Sequence, residues 1–199
     1  MPDIAHQSTG ADTALELIRK RTAPLHVRLD RLSDLTLLLS SSCLLADYKK
    51  AVMSLAAAYR SVDSVLVKSE RYCPPALPAY VPHLPYLLAD LQRLGCENPA
   101  FPVFKLSAPS GIASYLGMRY VIEGSNSGAR VIYRALQKSG IARSIEVEKC
   151  YWSLAQTWQT SWPHLLRQLA DLGTHDEWQE AAHSACNVFE HFIYFLTPD

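Results

Sequence analysis

The sequence lacks paired cysteines. Its five cysteines are odd in number, scattered along the chain and without a C-x-x-C pair: Cys43, Cys73, Cys96, Cys150 and Cys186. This arrangement argues against a disulfide framework and against a zinc site built on cysteines. It favours reduced thiols, so the expected compartment is the cytoplasm.

The sequence also lacks a net charge and a long apolar run. Nineteen basic residues balance nineteen acidic ones, so there is no basic field to hold a polyanion and no nucleic-acid partner is expected. No apolar stretch reaches the roughly 18 residues that a membrane-spanning helix needs, so no membrane partner is expected either. No glycine-rich loop continues into G-K-[ST], which excludes a P-loop.

Apolar residues are plentiful, at 49% of 199 residues, which is enough for one continuous core. They recur at helical intervals, and no segment alternates as a strand does. The predicted fold is therefore an all-α helical bundle in a single domain over residues 12–199. Residues 1–11 are polar and predict a flexible leader rather than a signal peptide.

Capping residues, prolines and apolar spacing predict where the helices begin and end. Pro24 predicts a kink or break near Thr22–Ala23 in the first helix. Residues 33–43 predict a helix start, residues 72–85 an extended connection, and residues 141–156 a loop or short helix. The predicted helices run from Asp12 or Thr13 to Leu32, from Leu45 to Lys68, from His83 to Leu94 before Gly95, from Thr157 to Leu172, and from Asp176 to Leu196.

Glycine is scarce, with eight residues in the chain, yet three fall inside one predicted helix. This helix is predicted as one long element, Gly111–Gly140, closed by Gly140. Gly117, Gly124 and Gly128 each cost about 1 kcal/mol relative to alanine. At about 100° per residue they share one narrow face. That face fits either a close helix–helix crossing or a flat ligand against bare backbone, and the spacing leaves both open.

His26 lies in the first predicted helix, just after its proline. A histidine among leucines is most often a structural residue at the core or its boundary. However, Asp30 lies at i+4 on the same face, where its carboxylate can accept the Nδ1 proton of His26. That bond would fix the tautomer and leave Nε2 free to bind a metal. Arg19, seven residues earlier, adds a cation to this face.

Two segments resemble one known family. They are T-x-P-L-H-x-x-L-D, from Thr22 to Asp30, and Y-V-I-E-G-S-N-S-G-A-R-V-I, from Tyr120 to Ile132. Together they make the chain resemble a bacterial heme oxygenase, of the biliverdin-producing type found beside bacteriophytochromes. The order and length of the predicted helices agree with this family over roughly residues 12–196.

The resemblance implies a heme oxygenase-like bundle with heme b held between the first helix and the glycine helix. His26 matches the proximal iron ligand and Asp30 the carboxylate that supports it. Gly124 and Gly128 match the distal glycines whose bare backbone approaches the porphyrin. The remaining matches are Arg19 and Arg167 as propionate contacts, the latter by a weaker alignment, and Tyr120 as a tyrosine contact. Ser125 departs from the family, since many members have an aspartate there that organises distal water.

The function implied by the resemblance is cleavage of heme by O₂ to biliverdin, CO and ferrous iron. Heme would be both substrate and cofactor. An electron donor such as a ferredoxin or a flavin reductase would be a partner, and a bacteriophytochrome could receive the biliverdin. Two alternatives stay open. One is a non-catalytic heme carrier or degenerate member, and the other is an iron-free enzyme on a related bundle.

Other motifs are weaker. Glu180 and His183 have the E-x-x-H spacing of di-iron bundles, but no second such motif occurs, so surface positions are expected. The aromatic residues of the C-terminal half predict either core packing or the wall of a flat pocket. They are Tyr151, Trp152, Trp158, Trp162, Trp178, Phe189, Phe192, Tyr194 and Phe195.

Overall fold

The computed structural model describes residues 13–96, 101–102, 104–156 and 161–197. In these ranges the chain forms helices and connecting turns with no strand, so the all-α prediction is confirmed. Short 3-10 helices cover Asp34–Leu39, Glu70–Tyr72, Val147–Lys149 and Tyr151–Gln156. The α-helices are α1 (Ala14–Leu32), α2 (Leu45–Lys68), α3 (Leu84–Arg93), α4 (Ile112–Gly124), α5 (Asn126–Lys138), α6 (Trp162–Ala170) and α7 (His175–Leu196). The predicted leader and residues 157–160 lie outside the described ranges.

Helix α1 begins at a capping box and runs through its proline. The Glu16 amide donates to the Thr13 hydroxyl at 3.3 Å, and the Thr13 amide donates to the Glu16 carboxylate at 3.0 Å. The predicted break at Pro24 does not occur. Pro24 removes the donor for the Lys20 carbonyl, but both residues are exposed, so water can satisfy that carbonyl. Packing of α1 along α7 on both sides of the proline keeps the helix continuous.

The two predicted glycine caps have different outcomes. Gly95 ends α3 as predicted, with φ 73° and its amide 3.0 Å from the Gln92 carbonyl, while the Cys96 amide donates to the Leu91 carbonyl at 2.8 Å. Gly140 does not cap α5. That helix ends at Lys138, because Ser139 turns to extended backbone and its hydroxyl donates to the Leu136 carbonyl at 2.7 Å.

The predicted single glycine helix is two helices. Ser125 separates α4 from α5, and its hydroxyl donates to the Ile122 carbonyl at 2.6 Å. Serine favours such local side-chain bonds to the backbone, which compete with helix continuation. The prediction of one element over Gly111–Gly140 is therefore wrong at this position.

Helix α7 packs along both α1 and α4, and more briefly along α2. Helix α3 packs on α2. Helix α4 is almost wholly buried, from Ala113 to Glu123. A side chain at Gly117 is impossible without movement, because an added Cβ would collide with the backbone carbonyl of Ala181 on α7. The close-crossing interpretation is thus correct for Gly117. In the part of the chain described, no helix combines the length and the apolar character needed to cross a membrane.

Candidate functional site

A cavity of about 590 Å³ lies between α1 on one side and α4–α5 on the other, with α6 and α7 completing its wall. We call it the main cavity. Its volume is within the range of pockets that hold a cofactor or a small ligand. Its surface is mainly apolar, and aromatic side chains supply much of it. The aromatic lining residues are Tyr59, Tyr120, Tyr151, Trp152, Trp162, Phe189 and Phe192.

The α1 wall of the main cavity contains His26 and Asp30. The Asp30 carboxylate lies 2.8 Å from Nδ1 of His26, and the two side chains are 64% and 61% exposed. The His26 ring also rests against Phe189 of α7, with ring centroids 5.8 Å apart. The carboxylate orients the imidazole with Nδ1 as the donor, which leaves Nε2 as a free lone-pair donor at the cavity.

The facing wall is formed by the interruption between α4 and α5. Gly124, Ser125 and Gly128 all line the main cavity there. A Cβ added to Gly128 would meet no atom within 4 Å, whereas one added to Gly124 would lie 3.4 Å from the Trp162 ring. The Trp162 ring also contacts Tyr120 in a tilted arrangement, with centroids 5.4 Å apart. The backbone at Gly128 therefore borders open space, as a surface for a flat ligand requires.

The structure brings together most of the residues that the sequence analysis selected. His26, Asp30, Tyr120, Gly124, Ser125 and Gly128 all line the main cavity. Arg19 and Arg167 are exposed and are not among its lining residues. Arg167 instead contacts its own helix, with Nε donating to the Pro163 carbonyl at 3.3 Å. The described lining contains no lysine or arginine, so any cation for an acidic ligand must come from the rim.

Two tyrosines also line the main cavity. Tyr59 of α2 was not selected from the sequence, and Tyr151 was selected only as one of the aromatic residues that predict core packing or the wall of a flat pocket. Their rings are in tilted contact, with centroids 6.3 Å apart, and both line the main cavity together with Ser125. Burial raises the pKa of both phenols, so both are neutral. No sequence pattern links the two positions, because only the tertiary fold brings them together.

The glutamate of the E-G-S segment faces away from the main cavity. Glu123 is buried, and its carboxylate accepts from Nε of Arg119 at 2.6 Å. The same guanidinium donates to the Tyr115 hydroxyl at 3.1 Å and to the Pro78 carbonyl at 3.1 Å. Both charges line a small pocket of about 100 Å³, which we call the second pocket. Glu123 therefore pairs with Arg119 inside α4 rather than supplying an acid to the main cavity.

The aromatic residues and the E-x-x-H histidine selected from the sequence lie in different places. Trp152, Trp162, Phe189 and Phe192 line the main cavity, while Trp178 donates its indole N–H to the Leu172 carbonyl at 2.7 Å. Trp158 lies outside the described residues. His183 is exposed and its Nε2 lies 3.1 Å from Asn187. Over the described ranges, no three His, Cys, Asp or Glu side chains converge as a metal site.

The chain has the fold of a heme oxygenase. It resembles the heme oxygenase from Neisseria meningitidis, whose crystal structures were solved with NO and CO bound. The TM-score is 0.67, and the match covers 92% of this chain and 89% of that protein. Sequence identity is 19%, which supports a shared fold and no finer likeness. No protein-family model matches the sequence, and no curated protein is significantly similar to it.

Proposed function

We propose that this protein binds heme through His26 and cleaves it with O₂ to biliverdin, CO and ferrous iron. The observation that supports this function best is the pairing of walls in the main cavity. A single oriented imidazole on α1 faces backbone without side chains on α4–α5, within the heme oxygenase fold. That combination would hold a porphyrin iron at His26 and admit the flat ring against the α4–α5 backbone.

The residues present fit heme. Neutral imidazole is an ordinary axial ligand of heme iron, and the Asp30 carboxylate would raise the basicity of Nε2 by holding the proton on Nδ1. The apolar and aromatic wall would cover the flat macrocycle. Gly128 would let the backbone of α5 lie against the ring, because an added Cβ would occupy that space.

Heme would serve as the substrate, and its iron would supply the activation of O₂. Starting from ferric heme, the atoms balance with three O₂, seven electrons and eight protons. The products are biliverdin, CO, ferrous iron and three water molecules. The electrons would come from a separate donor such as a ferredoxin or a flavin reductase, and a bacteriophytochrome could be the recipient of the biliverdin.

The protein itself would bind heme, orient it and exclude water from it. His26 would fix the ring position, and Phe189 and Phe192 would exclude water from its edge. Tyr120 would contact the ring beside Trp162, and Arg19 and Arg167 would meet the propionates outside the wall. The α4–α5 backbone at Gly124 and Gly128 would limit the space above the ring. Ser125 would supply a side-chain hydroxyl at this wall.

A non-catalytic heme carrier is the competing function. Ser125 favours this alternative, because a hydroxyl that already donates to the Ile122 carbonyl organises water less strongly than a carboxylate. Binding alone would require His26 and the apolar wall but no supply of electrons or protons.

A hemin titration separates these functions. The wild type should give a sharp Soret band with one hemin bound, and addition of ascorbate or a reduced ferredoxin should convert it to a biliverdin spectrum. His26→Ala should lose the band. The matched control is His183→Ala, another exposed helical histidine with a polar partner at i+4, which should bind as the wild type does. A stable band without decay would favour the carrier, and no band in the wild type would exclude both heme functions.

A further inference from the structure

The main cavity and the second pocket are joined by a line of buried polar side chains. We propose that protons for the reaction enter at the second pocket and pass through His83, Tyr151 and Tyr59 into the main cavity. This inference rests on the proposed function, because only turnover of heme consumes protons. It assigns a role to three residues that heme binding alone does not need.

The end of this route at the main cavity is formed by two phenols. Tyr59 and Tyr151 both line the cavity, and their rings are in tilted contact with centroids 6.3 Å apart. Ser125, at the interruption of α4–α5, lines the same cavity. Tyr151 is fixed in turn by its backbone amide, which donates to the buried Asp90 carboxylate at 2.9 Å. Tyr59 is thus positioned by α2 and Tyr151 by its bond to Asp90 of α3, and neither depends on a ligand.

His83 connects the phenols to the second pocket. Its Nδ1 lies 2.6 Å from the Tyr151 hydroxyl, and the same residue lines the second pocket. The imidazole stacks on the Tyr59 ring, with centroids 4.6 Å apart and planes 3° apart. The Asp63 carboxylate holds the chain on both sides of His83, because it accepts from the Tyr80 hydroxyl at 2.5 Å and from the Leu84 amide at 2.6 Å. The imidazole therefore has little freedom to leave the line.

The second pocket is suited to hold water. Its volume of about 100 Å³ is room for a few molecules, and its wall contains Arg119, Glu123 and His83. Oε2 of Glu123 is buried without a hydrogen-bond partner in the protein. A buried carboxylate oxygen without a partner is costly, so a water at this position would satisfy it. The pocket thus places water next to the outer end of the proposed route.

Each member of the line can both accept and donate a proton. Burial, and then the charge of Arg119, lower the pKa of His83 from its ordinary 6.5 to about 3, so the imidazole is neutral near pH 7. A neutral imidazole accepts at one nitrogen and donates at the other, and a phenol does the same at one oxygen. Each link takes one proton and passes on another, so no charge accumulates. The only carboxylate and imidazole in the described cavity lining, Asp30 and His26, are on the α1 wall.

The test uses Tyr151→Phe and His83→Phe, which remove the transferable proton but keep a ring in place. Tyr133→Phe is the matched control, since it also removes the hydroxyl of a buried tyrosine, but one that lines neither pocket. All three variants should bind hemin as the wild type does. The two route variants should form biliverdin at least about tenfold more slowly, a loss in turnover without a loss in binding. Tyr133→Phe should turn over at nearly the wild-type rate.

A second readout needs no heme. In heme-free protein labelled with [¹⁵N]histidine, the Nδ1 resonance of His83 should report the short contact to Tyr151. It should move in Tyr151→Phe but not in Tyr133→Phe, and the ring should stay neutral from pH 8 to about pH 5. A His83 ring that titrates near its ordinary pKa, or a resonance unmoved in Tyr151→Phe, would overturn the route.

The outcomes also distinguish this inference from the proposed function. If the wild type forms biliverdin and Tyr151→Phe does so at the same rate, the route is wrong and the function stands. If the wild type binds hemin but does not form biliverdin, the function and the route both fail. The route is supported if both route variants bind hemin normally but turn over slowly, while the wild type and Tyr133→Phe turn over at the full rate.

Discussion

Gly117 and Gly128 belong to the same stretch of sequence, yet the structure gives them opposite surroundings. In α4, Gly117 lies against the Ala181 backbone so closely that even one methyl group would collide with it. In α5, Gly128 has no atom within 4 Å of an added Cβ and borders the main cavity. One glycine permits two helices to touch, and the other leaves room for a ligand. The same residue type therefore has two physical purposes, and only the position of the neighbouring helix distinguishes them.

The largest expected effect is on the α4 side of this comparison. Gly117→Ala should lower the free energy of unfolding by about 3 kcal/mol, because a backbone carbonyl cannot rotate out of the way as a side chain can. Urea unfolding of the heme-free protein measures it. Gly140→Ala is the control, since that glycine is exposed and has open space around it, and its stability should be nearly unchanged. Equal stabilities of Gly117→Ala and the wild type would contradict the close crossing.

On the α5 side the expected effect is on binding rather than folding. Gly128→Leu should fill part of the main cavity and weaken hemin binding by at least about tenfold, which is about 1.4 kcal/mol. Its unfolding midpoint should stay close to that of the wild type. Hemin titration and urea unfolding of the same preparation test both statements. Unchanged hemin affinity would remove Gly128 from the site.

The α4 side also borders buried His83, which predicts a dependence of stability on pH. The low pKa of His83 means that the unfolded chain binds a proton below pH 6.5 that the folded protein does not, so stability falls as the pH drops below this value. Between pH 6.5 and 5.5 the wild type should lose about 1 kcal/mol more than His83→Phe. Burial raises the pKa values of Asp63 and Asp90, so their contribution to stability increases as the pH drops. This contribution is the same in both proteins and cancels when the two are compared. Parallel pH profiles of the two proteins would contradict the burial of a neutral imidazole.

The smallest expected effect separates stability from function at one position. Gly128→Ala should raise the free energy of unfolding by about 0.5–1 kcal/mol, because alanine favours the helix and its methyl group meets open space. Hemin affinity should fall slightly at the same time. Thermal unfolding with and without hemin measures this, and a loss of stability in the heme-free protein would contradict the open space at Gly128.

Local signals in the sequence were enough for most of the helices. The Thr13–Glu16 capping box and the Gly95 terminus act within a few residues, so their patterns are visible in the chain. The break at Ser125 was not predictable. Its hydroxyl bonds to the carbonyl of Ile122 in the preceding turn, and the sequence does not show whether such a bond or a continued helix wins. The continuity of α1 through Pro24 depends on packing against α7, which the sequence does not display.

The candidate site was predictable where it is local and hidden where it is tertiary. His26 and Asp30 are one helical turn apart, so their contact follows from spacing. Tyr59, His83 and Tyr151 meet across three separate segments, and no short-range pattern marks them. The glycine spacing left a close crossing and a ligand surface both open; Gly117 makes the crossing with α7, and Gly128 borders the main cavity.

The central claim is that His26 and Gly128 face the same heme, and NMR of the ferric heme complex tests it most directly. Paramagnetic iron shifts and broadens resonances of nearby nuclei. The account predicts that stoichiometric hemin strongly perturbs the resonances of both His26 and Gly128, while Gly140, beyond the far end of α5, keeps its heme-free resonance. Bound hemin that perturbs only one wall, or neither, would contradict it.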